Sequence, residues 1–144
     1  MTDTLSSLWL ALAAALVGTI VLAPCALSKE KPNPLLDRVK ASVKDTTKPF
    51  TMIVTLQAKK GAGKKIEAAF AKAIKPTRQE KGCLAYYLDR DPKMPDQYIV
   101  YERWKDLAAL EAHLKSRHIV ALLADLGAAL EGSIESRILL AVGD

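Results

Sequence analysis

Residues 50–144 predict an α+β domain with the element order β-α-β-β-α-β, which is the ferredoxin-like arrangement. Two observations support this prediction. Four segments alternate apolar and polar residues with a period of two, as strands with one buried face do. Between these segments, apolar residues recur at the spacing of an amphipathic helix. We therefore expect an antiparallel sheet with helices covering one face.

The first strand and the first helix of this domain have the clearest patterns. Residues 50–57 predict a strand, whose buried face holds Phe50, Met52, Val54 and Leu56. Residues 59–63 predict a turn, and the helix after it has an inward stripe of Ile66, Phe70, Ala73 and Ile74. Pro76 is expected to kink or fray its last turn, and Gly82 suits a left-handed stop. The glycine turn before Lys64 lacks the spacing of a phosphate-binding loop, so we interpret it as a turn that enters the helix.

The second and third strands are separated by a loop rich in turn residues at 91–96. The second strand alternates with inward residues Leu84, Tyr86 and Leu88. In the third strand, one face carries Tyr98, Val100, Glu102 and Trp104. A carboxylate on a helix-covered face is costly unless it is paired or faces a cavity, so Glu102 predicts a partner such as Arg78 or a histidine, or a pocket.

The carboxy-terminal part predicts two helical stretches and a final strand. Asp106 is placed to cap a helix whose inward residues are Leu107, Leu110 and Leu114. Residues 116–118 interrupt this helix, and residues 119–130 form the next helical stretch. The last strand has an alternating face of Ile134, Ser136, Ile138, Leu140 and Val142.

The sheet face away from the helices is partly apolar. Its apolar or amphipathic residues are Ile53, Ile99, Tyr101 and Leu139. Because a half-apolar face without a cover implies a partner, we expect a second copy of the chain to pack against it as a homodimer.

The amino-terminal residues 1–28 read as a signal peptide or a membrane anchor. Residues 4–28 contain no charged side chain, and their apolar core matches the length of a membrane-spanning helix. Small residues at 26–28 offer a cleavage site, whereas the basic residues that follow favour a cytoplasmic domain behind an anchor. We expect an exported (periplasmic or extracytoplasmic) or membrane-anchored protein, with membrane contact through residues 5–27 if they are retained. Residues 29–49 have the composition of an extended or only partly helical linker that buries little surface.

Charge and cysteine content exclude several function classes. The chain carries 21 basic and 16 acidic residues, and they are interleaved rather than gathered into a basic patch, so no nucleic-acid partner is expected. Two cysteines and two histidines offer no metal-ligand spacing, so no metal site is expected either.

The candidate functional residues are few. His113 lies at the edge of a helical core face and His118 near the helix break, and each is either a packing residue or a base. Tyr86 points inward and needs a hydrogen-bond partner. Trp104 fits either the core or the wall of an aromatic pocket. Cys83 has no activating neighbour and reads as a packed thiol.

Two stretches resemble the antibiotic biosynthesis monooxygenase (ABM) domain family. Residues 80–86, E-K-G-C-L-A-Y, are similar to its E-x-G-C-x-x-Y segment. Residues 101–104 and 110–118, Y-E-R-W and L-E-A-H-L-K-S-R-H, are similar to its E-x-W and L-E-A-H-L-x-S-x-H segments. The resemblance covers about residues 50–142 and implies a dimeric α/β barrel of ferredoxin-like halves.

The resemblance also implies a function. Relatives include small oxygenases that use no cofactor and oxidise quinols or polyphenols with molecular oxygen. Carried over by motif, the site would hold Tyr86, Glu102, Trp104, His113 and His118, with a histidine or Glu102 as the base and Tyr86 as a donor. Arg78, Phe70 and Val54 are added as candidate substrate contacts. Haem degradation is disfavoured because Val54 and Leu123 stand about where that branch has Asn and His. The alternatives are a non-catalytic ligand-binding or sensor dimer and a signalling-sugar isomerase, for which a pocket lined by Arg78 and lysines would count.

Overall fold

The computed structural model describes residues 33–142. Its elements are α1 (Pro34–Ser42), β1 (Phe50–Gln57), α2 (Gly63–Arg78), β2 (Cys83–Arg90), β3 (Gln97–Trp104), α3 (Leu107–Lys115), α4 (Arg117–Gly127) and β4 (Glu135–Leu140). From β1 onward the order is β-α-β-β-α-α-β, so the predicted α+β ferredoxin-like fold is confirmed.

The four strands form one antiparallel sheet in the order β2-β3-β1-β4. Residues that pair directly across strands share a face. The inward face therefore contains the pairs Phe50 with Trp104, Met52 with Glu102, Val54 with Val100 and Leu56 with Tyr98, and all eight side chains are buried. The predicted inward residues of β1 and β3 are therefore confirmed. In β1, Thr51 on the opposite face is buried as well.

The start of α2 explains the glycine-rich turn. Gly61 has a φ of 77°, in the left-handed region that favours glycine. A Cβ on Gly63 would lie 2.6 Å from the phenol oxygen of Tyr98, so only glycine allows this close approach. The turn has a structural explanation in packing against β3.

The inward face of β2 differs from its prediction at one residue. The pairing of β2 with β3 has an irregularity between Cys83 and Ala85, and Leu84 is its extra residue. Such a bulge shifts the alternation by one position, so Leu84 is exposed while Cys83 packs against the core. Tyr86 and Leu88, after the bulge, face inward as predicted.

The two carboxy-terminal helices follow the predicted break. Asp106 caps α3 by accepting a hydrogen bond from the Ala109 amide at 2.8 Å. The backbone is extended at Ser116, where α3 ends and α4 begins. In β4, Ile138 packs against the core, but the predicted inward residues Leu140 and Val142 are exposed in the single chain.

Helix α1 corrects part of the linker prediction. It lies within residues 29–49 and is capped by the Asn33 side chain, which accepts from two backbone amides. Val39 and, just after the helix, Val43 are buried in the core. The expectation that this segment buries little surface is therefore wrong here. Residues four apart lie on the same side of a helix, so Val39 and Val43 both reach the core.

The sheet face away from the helices has no covering element among residues 33–142. Ile53, Ile99 and Tyr101 are partly exposed there, and Tyr87 and Leu139 are about half exposed. Residues 1–28, with the predicted signal or anchor segment, lie outside the described residues. Within the described residues, none of the helices has the length and apolar character needed to span a bilayer.

Candidate functional site

A small cavity of about 70 Å³ lies between the inward sheet face and the helices. Most of its lining is apolar, and it includes the candidate contacts Val54 and Phe70 together with side chains from α1, α4 and the residue before β4. Three polar side chains reach it, and they are Tyr86, Glu102 and His113. A mainly apolar cavity with a few convergent polar groups is the usual form of a site for a small organic ligand.

The sheet register brings two of these polar groups together. Tyr86 of β2 is the direct pairing partner of Glu102 of β3, so both side chains project from neighbouring positions on the inward face. His113 comes from α3 above this face, and its ring centroid is 5.6 Å from that of Tyr86. The structure therefore brings Tyr86, Glu102 and His113 to one cavity, and their role in a functional site stays a prediction.

Glu102 is a buried carboxyl group with one hydrogen-bond partner. It is 5% exposed, and the indole Nε1 of Trp104 donates to its Oε2 at 2.8 Å. Desolvation raises the pKa of Glu102 from 4.5 to about 7, against the lowering effect of the Trp104 hydrogen bond. This carboxyl group can therefore give or accept a proton near neutral pH.

His113 is held by a carboxylate that the sequence analysis had not assigned to the site. Its Nδ1 lies 2.8 Å from Oε2 of Glu80, in the loop between α2 and β2. Burial lowers the pKa of His113, and the nearby Glu80 carboxylate only partly opposes this. With the Nδ1 hydrogen directed at Glu80, a neutral His113 keeps a lone pair on Nε2 and can act as a base. Glu80 was visible in the sequence only as the first residue of the 80–86 motif.

Tyr86 is suited to donating a hydrogen bond. It is 3% exposed, and desolvation together with the charges of Glu102 and Glu80 raises its pKa well above the ordinary value. The phenol therefore stays protonated at physiological pH and offers its O–H to the cavity it lines.

Three candidates lie next to the cavity rather than in its lining. Trp104 is fully buried behind His113, with ring centroids 4.5 Å apart, and acts on the site through Glu102. His118 reaches Glu80, with Nε2 at 2.8 Å from Oε1. Arg78 is turned elsewhere: its Nε donates to the Tyr86 carbonyl at 2.8 Å and its guanidinium stacks on the Tyr87 ring. Arg78 therefore neither pairs with Glu102 nor lines the cavity.

Cys83 and the two histidines complete the reactive groups near the site. Burial raises the pKa of the Cys83 thiol to about 11, so it is not an activated nucleophile. Glu80, His113 and His118 each offer one ligand atom, and these atoms lie within 4.8 Å of one another. Two histidines and a carboxylate form a possible metal-ligand set that no local sequence spacing revealed, since Glu80 is far from both histidines in the chain.

Comparison with known proteins identifies a family for this domain. Residues 49–125 match the family described as antibiotic biosynthesis monooxygenase. No curated protein matches the chain.

In the matches to solved structures with the same fold, nearly the whole of each solved chain is aligned with this one. A crystal structure of an antibiotic biosynthesis monooxygenase is 29% identical, with a TM-score of 0.62, and the match covers 65% of this chain and 99% of that one. PA3566 from Pseudomonas aeruginosa is 28% identical with a TM-score of 0.63, over 68% of this chain and 98% of its own. Rv0793 from Mycobacterium tuberculosis is 25% identical with a TM-score of 0.62, over 67% and 97% of the two chains.

Proposed function

The chain belongs to the antibiotic biosynthesis monooxygenase family, and on that premise we propose that it is a cofactor-independent monooxygenase acting on a quinol or polyphenol. The observation that carries the proposal is the cavity itself. It joins a neutral buried histidine, a protonated tyrosine and a carboxyl group with a pKa of about 7 in apolar surroundings.

The reaction needs only the substrate and molecular oxygen. A base removes a proton from a phenolic hydroxyl, and the electron-rich phenolate passes one electron to oxygen. The two radicals combine to form a carbon–oxygen bond, and the resulting peroxide takes a proton to become a hydroperoxide. The hydroperoxide then loses water as its O–O bond breaks and the oxygenated ring carbon gives up its hydrogen. For a hydroquinone the products are one hydroxyquinone and one water molecule, so one oxygen atom enters each product. The two electrons that reduce the second oxygen atom to water come from oxidation of the hydroquinone to the quinone.

Each polar residue has a role in this scheme. His113, oriented by Glu80, accepts the phenolic proton. The O–H of Tyr86 donates a hydrogen bond to the phenolate oxygen. The Glu102 carboxyl group protonates the peroxide and takes back the hydrogen of the oxygenated ring carbon when water is lost, while His113 gives its proton to the departing hydroxide. Phe70 and Val54 contact the ring, and the apolar walls exclude water, which would otherwise compete for the phenolate.

The size of the cavity constrains how a substrate enters. Pockets for drug-sized ligands have about 300–1,000 Å³, whereas this cavity has about 70 Å³. We propose that α4 moves outward to admit the substrate. It contributes Leu122, Leu123 and Leu126 to the wall, and it is joined to α3 through a single extended residue, Ser116.

The lining favours an aromatic substrate over a phosphorylated sugar. A phosphate group requires cationic partners, and the cavity lining contains neither lysine nor arginine among the described residues. Arg78, the residue that would have supported a sugar phosphate, is engaged by Tyr86 and Tyr87 instead.

We further propose that two copies of the chain pair through their open sheet faces. The support is the row of partly exposed apolar and aromatic residues on that face, of which Tyr101 pairs across strands with both Ile53 and Tyr87. Tyr87 and Leu139 would lose their exposure in such a dimer.

Residues 5–27 are proposed to take the domain to a membrane, as a retained anchor or as an export signal. Intact mass of the mature protein distinguishes the two. A mass reduced by the leader indicates export, and a full-length mass in the membrane fraction indicates an anchor.

Oxygen uptake with a panel of hydroquinones and naphthohydroquinones tests the function. Uptake above the enzyme-free rate is expected, and it should fall by about 10²–10⁴-fold in His113→Ala and also fall in Glu102→Gln. Val120→Ala, on the exposed side of α4, is the control and should retain full activity. Saturable binding of a quinol without any uptake would instead identify a ligand-binding protein.

A further inference from the structure

Both histidines of the chain contact one carboxylate. Nδ1 of His113 lies 2.8 Å from Oε2 of Glu80, and Nε2 of His118 lies 2.8 Å from Oε1 of the same side chain. The three residues come from the loop before β2, from helix α3 and from the first turn of α4, so the fold brings them together. Two imidazoles and a carboxylate are ligand types that bind Zn²⁺ and other divalent transition-metal ions.

The outer contact of this cluster is not a hydrogen bond. Oε1 of Glu80 is buried and has no hydrogen-bond partner, although Nε2 of His118 is only 2.8 Å away. The Ser116 hydroxyl lies 3.3 Å from the same nitrogen and can donate to it, which leaves Nε2 with a lone pair and no hydrogen. An unpaired buried carboxylate oxygen is costly. A cation held by Oε1 of Glu80 and Nε2 of His118 removes this cost.

The spacing of the ligand atoms is close to that around a single metal ion. One ligand atom from each of the three residues lies within 4.8 Å of the other two. Zinc binds imidazole nitrogen and carboxylate oxygen at about 2.0–2.2 Å, so two ligand atoms on opposite sides of the ion are about 4.2 Å apart. A small rotation of the His118 ring can close the difference, because this side chain is partly exposed and makes no hydrogen bond to Glu80.

We propose that Glu80, His113 and His118 form a binding site for a divalent transition-metal ion, for which Zn²⁺ is the best suited. The ligands are Nδ1 of His113, Nε2 of His118 and the Glu80 carboxylate, and water completes a tetrahedral zinc site. The side chain of His113 is 4% exposed and that of His118 is 23% exposed, so the ion enters from the side of His118. Zinc has no geometric preference from its d electrons and therefore tolerates three protein ligands of unequal exposure.

A bound ion inhibits the oxidation of quinols, and this consequence rests on the proposed function. A neutral imidazole that binds a metal ion through Nδ1 carries its hydrogen on Nε2. His113 then offers no lone pair to a phenolic hydroxyl in the cavity. The metal site and the cavity therefore share His113, one ring nitrogen each.

Calorimetric titration of the full chain with Zn²⁺, without an affinity tag, tests the site itself. One ion per chain is expected, with affinity weaker by about tenfold or more in both His118→Ala and Glu80→Gln. Glu135→Gln, at an exposed position of β4, is the control and should bind as the wild type does. Circular dichroism checks the fold of each variant, and the partly exposed His118→Ala decides the test if Glu80→Gln is unfolded. No saturable binding, or equal affinity in all folded proteins, would overturn the site.

NMR of the full chain with ¹⁵N-labelled histidine identifies the nitrogen atoms that bind Zn²⁺. The proposed site predicts metal on Nδ1 of His113 and on Nε2 of His118. A change confined to the His118 ring would indicate an adventitious ion only and would overturn the three-residue site.

Oxygen uptake with a hydroquinone at saturating Zn²⁺ tests the inhibition. The wild-type rate should fall by about 10²-fold or more, and the remaining activity of His118→Ala should no longer respond to Zn²⁺. Unchanged or faster turnover with the site saturated would overturn the inhibition. If the wild type oxidises no quinol but binds one Zn²⁺ ion through both histidines, the proposed function fails and the metal site stands.

Discussion

Replacing Glu102 by Gln should change how the stability of the protein depends on pH. Burial raises the pKa of this carboxyl group from 4.5 to about 7. The folded state therefore holds the proton more tightly than the unfolded chain, and the free energy of unfolding falls as pH rises from about 4.5 to about 7. Above that range the loss is complete and amounts to about 3 kcal/mol, at about 1.4 kcal/mol for each pH unit.

Gln carries no ionisable proton, and its amide oxygen can still accept the hydrogen bond from Trp104. The free energy of unfolding of Glu102→Gln minus that of the wild type should therefore rise by about 3 kcal/mol between about pH 4 and about pH 8. Urea denaturation followed by circular dichroism at several pH values measures this difference. Glu135→Gln, at an exposed position of β4, is the control and should show no such change. A wild-type and variant difference that is the same at every pH would refute the reasoning.

Three further predictions address the neighbouring contacts, the cavity wall and the interface. Trp104→Phe removes the donor to Glu102, so unfolding free energy should fall by about 1–3 kcal/mol at neutral pH and by less near about pH 5, where the carboxyl group is protonated; equal losses at both values would contradict this. Leu122→Ala, at the buried wall of the cavity, should lower the free energy of unfolding by about 2–5 kcal/mol in urea denaturation. It should also raise the affinity for a naphthohydroquinone in calorimetry, and an unchanged affinity would exclude this wall as the limit on ligand size. Ile53→Asp on the open sheet face should give monomers in sedimentation velocity, whereas Val120→Asp on α4 should leave dimers; dimers in both would exclude the proposed interface.

The parts of the fold that follow strict periodicity were predictable from the sequence. In β1 every second residue is apolar, so the inward face that holds Val54 could be assigned directly. In β3 the alternation of Tyr98, Val100 and Trp104 assigns Glu102 to the same inward face. The exposure of Leu84 could not, because a bulge depends on the pairing of two strands and not on the alternation within one. The burial of helix α1 was missed because its surroundings are rich in proline and charge, whereas Val39 and Val43 are buried and Leu35 and Leu36 pack against the core.

The site was predictable only in part for a related reason. Tyr86, Glu102 and His113 each carry a local signal, which is a polar side chain on an apolar face. Glu80 has no such signal, since it lies in a loop and meets His113 only after the chain has folded. Arg78 had a plausible partner in Glu102 by charge, but the backbone carbonyl of Tyr86 and the ring of Tyr87 hold it instead.

Isotope incorporation tests the central claim most directly. The protein is incubated with a hydroquinone under ¹⁸O₂, and the product is analysed by mass spectrometry beside an enzyme-free reaction and His113→Ala. The account predicts a hydroxyquinone with one ¹⁸O atom, formed by the wild type well above the other two rates. A product without ¹⁸O, or equal incorporation in all three reactions, would contradict it.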